Sequence, residues 1–388
     1  MSNVKEKKAA HTKLCRIVEN LKNRYVDRDE MIDLLALALI SKQHIFVLSP
    51  PGTAKTAIIR EMAGWISAEF RGIQMRDDTK VEELFGMWDL RALEEGRYVR
   101  RWDRLAKADV VYINECFKGS PNALNALLGA LHERQVDDET GYLDIPLHTA
   151  VLDSNELPRD EAELAAFFDR IMFRMKIDYI QDIDKTRRLL SGPTKSAGRK
   201  PSALSREDLN LLYQGASEVD LYPGYMNDII AIKLRLLASD IIVSDRRWAE
   251  SCGDKTANGD ARVTPIRAAA FMRGDNIVDP QDLLVLSDCL WTDPSKKREV
   301  RQAVFEAVLP MKAKAQKLLD ECTDALCAAE QSMDVTSARA SIHTVTNYVR
   351  EIQTIASNDG NPDSFAGMID QARAIQARLY KIADGRGV

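Results

Sequence analysis

Four groups of polar residues in this chain have the types and the order needed to handle a nucleoside triphosphate. The first lies in LSPPGTAKTAIIREMA, Leu48 to Ala63. A phosphate-binding (Walker A) loop turns main-chain N–H groups and a helix N-terminus onto phosphate oxygens, and adds one lysine as a point charge. The strict pattern G-x-x-x-x-G-K-[ST] fails here at both glycines, with Ser49 at the first and Ala54 at the second. Gly52, Lys55 and Thr56 remain, flanked by Pro51, Thr53 and Ala57, and the Thr56 hydroxyl is of the kind that binds Mg²⁺. Ser49 fits if its φ is negative, and Ala54 fits if it already begins the helix. Alone, the loop reads equally well as a Pro/Gly turn between strand and helix.

A phosphate loop also needs an acidic element at the end of a neighbouring buried strand, to hold the magnesium shell and orient a water. VVYINE supplies a strand, then Asn114 and Glu115. Asn114 stands where an aspartate is expected. Its oxygen can still accept from a metal-bound water, but it brings no charge, so magnesium should be held less firmly. The third group is LDSNELP, where Asn155 follows an apolar run and can touch a γ-phosphate or the attacking water. The fourth is FFDRIMFRM, with Arg170 and Arg174 beside a short apolar run. An arginine there is either a salt-bridge partner or a finger for transferred-phosphoryl charge in a neighbouring subunit. Each group alone is weak; the succession is not.

The elements that must position these groups alternate. Apolar residues at helical spacing run over Leu14–Leu21 and Met31–Ile40. His44–Leu48, Val110–Ile113, Ala150–Leu152 and Phe173–Ile177 read as short strands, and Lys55–Ser67, Pro121–Glu133 and Glu161–Asp169 as helices. Gly141 marks a hairpin turn. This is an α/β pattern, a parallel sheet covered on both faces. Ser191–Ser205, rich in Gly, Pro, Ser and Lys, reads as a mobile connection, and the chain after it reads as helical. The expected domains are 1–190, a nucleotide-binding core; 191–205, the connection; 206–295, a helical lid interrupted at Ser251–Arg262; and 296–388, further helices. In that last region Val304, Val308, Met311 and Leu318, then Ile342, Val345, Val349 and Ile352, suggest a small bundle rather than a docking arm.

The 388 residues carry a net charge of −5, 45% hydrophobic and 29% charged, which argues for a soluble globular protein and against a general polyanion-binding surface. A local basic stretch, Arg97 to Lys107, leaves one nucleic-acid contact conceivable. The six cysteines are scattered without a C-x-x-C pair, so buried thiols are expected rather than a metal site or disulfide framework. Neither a signal segment nor a membrane span is read in the sequence, and a cytoplasmic location is expected.

SPPGTAKT, VVYINECFKGSPNALNALLGALHER, SNELP, DRIMFR and VSDRRW together resemble the MoxR family of AAA+ ATPases, and within it the RavA-like branch. The resemblance covers about Leu14 to Asp293. It implies an AAA+ P-loop core with an αβα sandwich, an α-helical lid and, in this chain, a further α-helical C-terminal region. It implies ATP and Mg²⁺ as cofactors, with Pro51–Ala57 around the phosphates, Thr56 and, through water, Asn114 on the metal, and Glu115 polarising water. Asn155 would be the first sensor, Arg170 the trans finger assisted by Arg174, and Arg246 or Arg247 the second sensor. Met75–Arg101 matches the helix-two insert and Asp137–Leu147 the pre-sensor hairpin. The family also implies a hexameric ring, chaperone-like remodelling and a von Willebrand A domain partner.

Two other functions stay open at this point. One is an ATP-binding scaffold or switch that hydrolyses slowly because of Asn114; the other, disfavoured by the acidic balance, is a nucleic-acid motor. On the enzymatic reading (ATP and water to ADP and phosphate), Asn114→Asp raises turnover, and Glu115→Gln abolishes it with binding intact.

Overall fold

Short runs of Ile, Val, Leu and Phe that each end in a polar residue assemble into one parallel sheet. In the computed structural model the described residues are 2–138, 141–157, 167–192, 202–332, 335–359 and 361–384. Among them the strands are β1 (Ile45–Leu48), β2 (Phe70–Gln74), β3 (Val110–Asn114), β4 (Gln135–Asp138), β5 (Gly141–Asp144), β6 (Thr149–Ser154) and β7 (Phe173–Lys176). The main sheet has the order β2-β3-β6-β1-β7, with every neighbouring pair parallel. β4 and β5 form a separate antiparallel hairpin, as Gly141 suggested; residues 139 and 140, between them, lie outside the described set.

The helices that cover this sheet begin with α1 (Ser2–Arg24), α2 (Asp29–Ser41), α3 (Lys55–Gly64), α4 (Val81–Phe85), α5 (Leu90–Glu94) and α6 (Pro121–Glu133). α2 carries Asp29 and Glu30 in its first turn, where the helix dipole favours them, and buries nearly everything after them. It stops at Lys42, whose φ of +53° breaks the helical path. Six further helices follow: α7 (Ile183–Leu190), α8 (Arg206–Ser217), α9 (Tyr225–Ala238), α10 (Asp245–Cys252), α11 (Pro265–Arg273) and α12 (Lys297–Val308). The last three are α13 (Pro310–Ser332), α14 (Val335–Asn358) and α15 (Ala366–Ala383).

Contacts divide the chain into two compact units, Met1–Ile229 with Leu237–Val300, and Ile230–Leu236 with Arg301–Val388. The first holds the sheet. Within it Phe46, Phe117, Phe167, Phe168 and Trp291 meet at interplanar angles of 57° to 82°, with ring centroids 4.6 to 5.6 Å apart. The second unit closes α13, α14 and α15 on one another around Leu319, Cys322, Val345, Ile352, Phe365 and Leu379. Met311, read from its spacing as part of that seam, is 45% exposed. Among the described residues no helix is long and apolar enough to cross a membrane.

Two local readings change, and a third gains detail. β2 is a strand the sequence pattern does not announce, because it is an edge strand with only Ile73 of its five residues buried. The connection at Ser191–Ser205 has residues 193–201 outside the described set, but its end is docked rather than mobile. Leu204 is buried and pairs with Ile66 in a parallel bridge, and Ser205 caps α8. The loop at Ser251–Arg262 is also held: Lys255 bridges Ala261, and Arg267 grips Asp254 at 2.7 Å and the Arg262 carbonyl at 2.8 Å. Of the helix expected over Glu161–Asp169, residues 161–166 lie outside the described set; 167–170 is helical.

His44, just before β1, ties three elements together. Its Nε2 lies 2.8 Å from the Leu131 carbonyl of α6, and its Nδ1 accepts the Ala150 N–H of β6 at 3.0 Å. A carbonyl can only accept and an amide can only donate, so the ring is neutral with its proton on Nε2. Burial, then the nearby Arg134 charge, pushes its pKa down to about 3. The unfolded value is about 6.5, so between these values the unfolded chain binds the proton and the native one does not. Stability from His44 is therefore full above pH 6.5 and declines as the pH falls toward 3. Urea unfolding at pH 7.5 and pH 5.5 will show a loss of about 1 kcal/mol from this residue. His44→Gln keeps a donor for Leu131 and an acceptor for Ala150, and will flatten the slope by that amount; equal slopes in the two proteins would contradict a neutral His44.

Candidate functional site

Parallel register sets three strand ends side by side. Val47 of β1 stands opposite Asp153 of β6 and Leu48 opposite Ser154, while Ile113 of β3 stands opposite Leu152. The chain leaves these ends as the Ser49 loop, as Asn114–Glu115 and as Asn155. Carboxyl ends of adjacent parallel strands are where open α/β sheets bind ligands.

The loop is shaped by two residues of positive φ, Gly52 at +79° and Ala54 at +65°. Ser49 keeps a negative φ, as its tolerance requires. Its buried hydroxyl also accepts from Thr53 Oγ1 at 3.1 Å, a bond glycine cannot make. Ala54 departs from the expectation. It caps α3 in the left-handed region instead of beginning the helix, which costs an alanine about 1–2 kcal/mol.

Side chains grip the loop's carbonyls: Arg28 Nε donates to Thr53 at 2.9 Å, Tyr179 to Pro51 at 3.0 Å, and Thr53 Oγ1 to Pro50 at 3.1 Å. Because a trans peptide points its N–H opposite its C=O, these bonds fix the Gly52 and Ala54 N–H groups toward the other side of the loop. Arg28 and Tyr179 also line a cleft of about 400 Å³ with Val26, Asp27, Met175 and Ile177. That volume suits a small organic ligand such as a nucleoside. A second cleft of about 430 Å³ lies away from the loop, between α6, the hairpin and Arg100–Trp102.

Lys55, the first residue of α3, is buried. Its Nζ donates to Asn155 Oδ1 at 2.6 Å and the Ser49 carbonyl at 3.4 Å, and stands 3.4 Å from Asp153 Oδ2. Asn155 in turn touches Glu115 through both its side-chain amide and its N–H, the latter at 3.4 Å. One asparagine thus joins the lysine at the start of α3 to the glutamate at the end of β3. Glu115 is itself buried and held at φ +54°, a conformation that costs energy and is common at functional sites. Thr56 Oγ1 lies 3.0 Å from the Tyr112 hydroxyl, which donates to Asp153 Oδ2 at 2.9 Å. Hydroxyl, carboxamide and carboxylate oxygens of this kind suit a hard cation, so the residues present fit Mg²⁺.

Asp153, Tyr112 and Arg28 were not singled out from the sequence. The signals existed: Tyr112 shares a strand face with Asn114, and a carboxylate inside the apolar run VLDS needs a buried partner.

The arginines divide. Arg170 is half-buried at the end of the 167–170 helix. Arg174 is buried, and its guanidinium donates to the carbonyls of Phe168, Ile171 and Trp291 and lies 4.9 Å over the Phe168 ring. A side chain so engaged cannot reach a neighbouring subunit, so the assisting role expected of Arg174 gives way to a structural one. In α10, Arg247 is likewise buried against the Ile171 carbonyl at 2.6 Å. Arg246 stays partly exposed, paired with Glu250 at 2.9 Å, Asp169 at 3.4 Å and His132 at 2.6 Å.

Comparison with known proteins agrees with this geometry. Residues 12–213 match the family model described as the MoxR domain in the MoxR-vWA-beta-propeller ternary systems, and residues 225–304 match an AAA lid domain. An uncharacterized protein of Methanocaldococcus jannaschii is 30% identical over 76% of this chain and 74% of its own. Chaperone MoxR1 of Mycobacterium tuberculosis is 22% identical over 72% of this chain and 74% of its own. A crystal structure from Cytophaga hutchinsonii, of a protein described as a candidate ATPase, superposes with a TM-score of 0.59. It covers 80% of this chain and 97% of that one at 18% identity, a likeness of fold.

The two finger candidates are separable by experiment. Arg174→Ala leaves three buried carbonyls unpaired and a cavity, and will lower unfolding free energy by about 3 kcal/mol or more. Arg170→Ala will leave the urea midpoint near wild type while reducing phosphate release by about 10³-fold. Interchanged phenotypes would reverse the assignment.

Proposed function

This chain belongs to the MoxR family of AAA+ ATPases, and from that membership we propose that it hydrolyses ATP at the Lys55–Asn155–Glu115 site and uses the cycle to remodel or assemble a partner protein. The observation that carries the reading is the direct bond from Lys55 Nζ to Asn155 Oδ1, 2.6 Å, with Asn155 bonded in turn to Glu115.

In the free state Lys55 spends its charge on Asn155, Asp153 and the Ser49 carbonyl. Arriving phosphates offer a stronger partner for the ammonium, and the Gly52 and Ala54 amides are already turned. Release of Asn155 from Lys55 leaves its amide to face the γ-phosphate, and Glu115 to accept a proton from water. The water oxygen bonds to the γ-phosphorus, the bond to the β–γ bridging oxygen breaks, and ADP and phosphate leave. Thr56 and, through water, Asn114 would hold Mg²⁺, which would supply charge neutralisation at the phosphate oxygens. The Val26–Arg28 and Met175–Tyr179 walls hold the nucleoside. Arg170 acts on the site of a neighbouring subunit in a hexameric ring, and Arg246, the more exposed of its pair, is the second sensor. The family model's description supports a von Willebrand A protein as the partner, and the protein works in the cytoplasm.

Purified full-length chain with ATP and Mg²⁺ will form rings by light scattering and release phosphate. Glu115→Gln will reduce release by about 10²–10⁴-fold while retaining ATP affinity. Equal background release from both proteins would favour the ATP-gated scaffold, the reading to which the uncharged Asn114 lends itself.

A further inference from the structure

Asp153 is fully buried at the end of β6, the central strand. A buried carboxylate requires donors, and this one has four kinds. The Glu115 N–H donates to Oδ1 at 2.9 Å, the Tyr112 hydroxyl donates to Oδ2 at 2.9 Å, and Lys55 Nζ stands 3.4 Å from Oδ2. The fourth is Asn114. Its carboxamide nitrogen faces the two Asp153 oxygens at 2.8 and 3.2 Å, since the opposite orientation would bring oxygens face to face. Its oxygen accepts from Gln74 Nε2 at 3.3 Å. Through Tyr112 the carboxylate also reaches Thr56 Oγ1, 3.0 Å beyond the phenol.

Resting on the ATPase reading, we infer that Asp153 supplies from β6 the negative charge that the end of β3 lacks. It is the site's relocated acidic residue, acting on the magnesium shell through Tyr112 and Asn114. Three contacts carry this. Asp153 is the carboxylate beside Lys55; it is joined through one phenol to the hydroxyl of the metal-binding threonine; and it holds Asn114 by the amide nitrogen. Exchange of the two side chains across paired strands leaves the local charge count of an acidic β3 end intact. Burial pushes the Asp153 carboxyl upward, opposed by the Glu115 N–H, Lys55 and Tyr112, the same contacts that define its place. Asp153 is therefore a positioning residue.

This reverses the expectation for Asn114→Asp. Alone, that change replaces the amide donor that faces both Asp153 oxygens with a second carboxylate, so two like charges meet where a hydrogen bond held Asn114. It lowers metal affinity instead of raising turnover.

The test uses full-length chain saturated with a nonhydrolysable ATP analogue and titrated with Mn²⁺, free Mn²⁺ being read by electron paramagnetic resonance. Thermal melting verifies the fold of each variant. Asp153→Asn will weaken Mn²⁺ binding about 10- to 100-fold, the range for residues that orient a metal's ligands. Tyr112→Phe, which removes only the relay hydroxyl, will weaken it in the same direction by less. The double exchange Asn114→Asp/Asp153→Asn will recover most of the loss. Mn²⁺ affinity unchanged in folded Asp153→Asn and Tyr112→Phe, or a folded double exchange no better than Asp153→Asn, overturns this inference alone. A wild-type chain that binds no nucleotide overturns the ATPase reading and this inference with it.

Discussion

A lysine ammonium buried at a strand–helix junction must find acceptors and a counter-charge in place of the water it gives up. Lys55 has the Asp153 carboxylate as counter-charge and a carboxamide and a main-chain carbonyl as further acceptors, all at the carboxyl edge of one sheet. That requirement organises the site. It explains why Asp153 is tolerated at the centre of a sheet, why Asn155 points back toward the loop, and why β6 must lie between β1 and β3. A slip of one residue in either pairing would turn Asp153 to the opposite face and leave Lys55 without its counter-charge.

The same contacts make the site responsive. Lys55 is held by groups whose combined charge is smaller than that of a triphosphate, so on the proposed reading ligand binding would trade one set of partners for a stronger one. Asn155 couples that exchange to Glu115, since the asparagine that releases lysine is the one touching both glutamate oxygens. The strained conformations at Ala54 and Glu115 sit on either side of this exchange, and each is fixed by bonds to a neighbouring strand or helix. Arg174 and Arg247 do different work, satisfying carbonyls of the 167–172 segment that carries Arg170.

Much of the architecture was readable because its signals are local. Short β-branched runs ending in Asn, Asp or Ser, followed by capped helices, specify a parallel sheet almost without tertiary information. Val345, Val349 and Ile352 repeat at helical spacing and are buried as that spacing requires. What stayed hidden depends on relations between distant residues. β2 lacks the apolar signature because its edge position leaves most of it in water. Ala54 gives no sign of its φ, which the grip of Arg28 and Tyr179 on the loop helps to impose. Arg174 beside Arg170 in FFDRIMFR looks equally fit to be a finger until burial separates the two. Asp153 reads as a strand-end polar residue until cross-strand register sets it against Lys55.

Titration calorimetry of ATP into the full-length protein and into Lys55→Ala tests the central claim most directly. Saturable binding of one ATP per chain is predicted, weakened about 10- to 100-fold or more by the substitution, as loss of charge-assisted hydrogen bonds to phosphate requires. Absence of binding by the wild-type chain, or equal affinity in the two proteins, would contradict it.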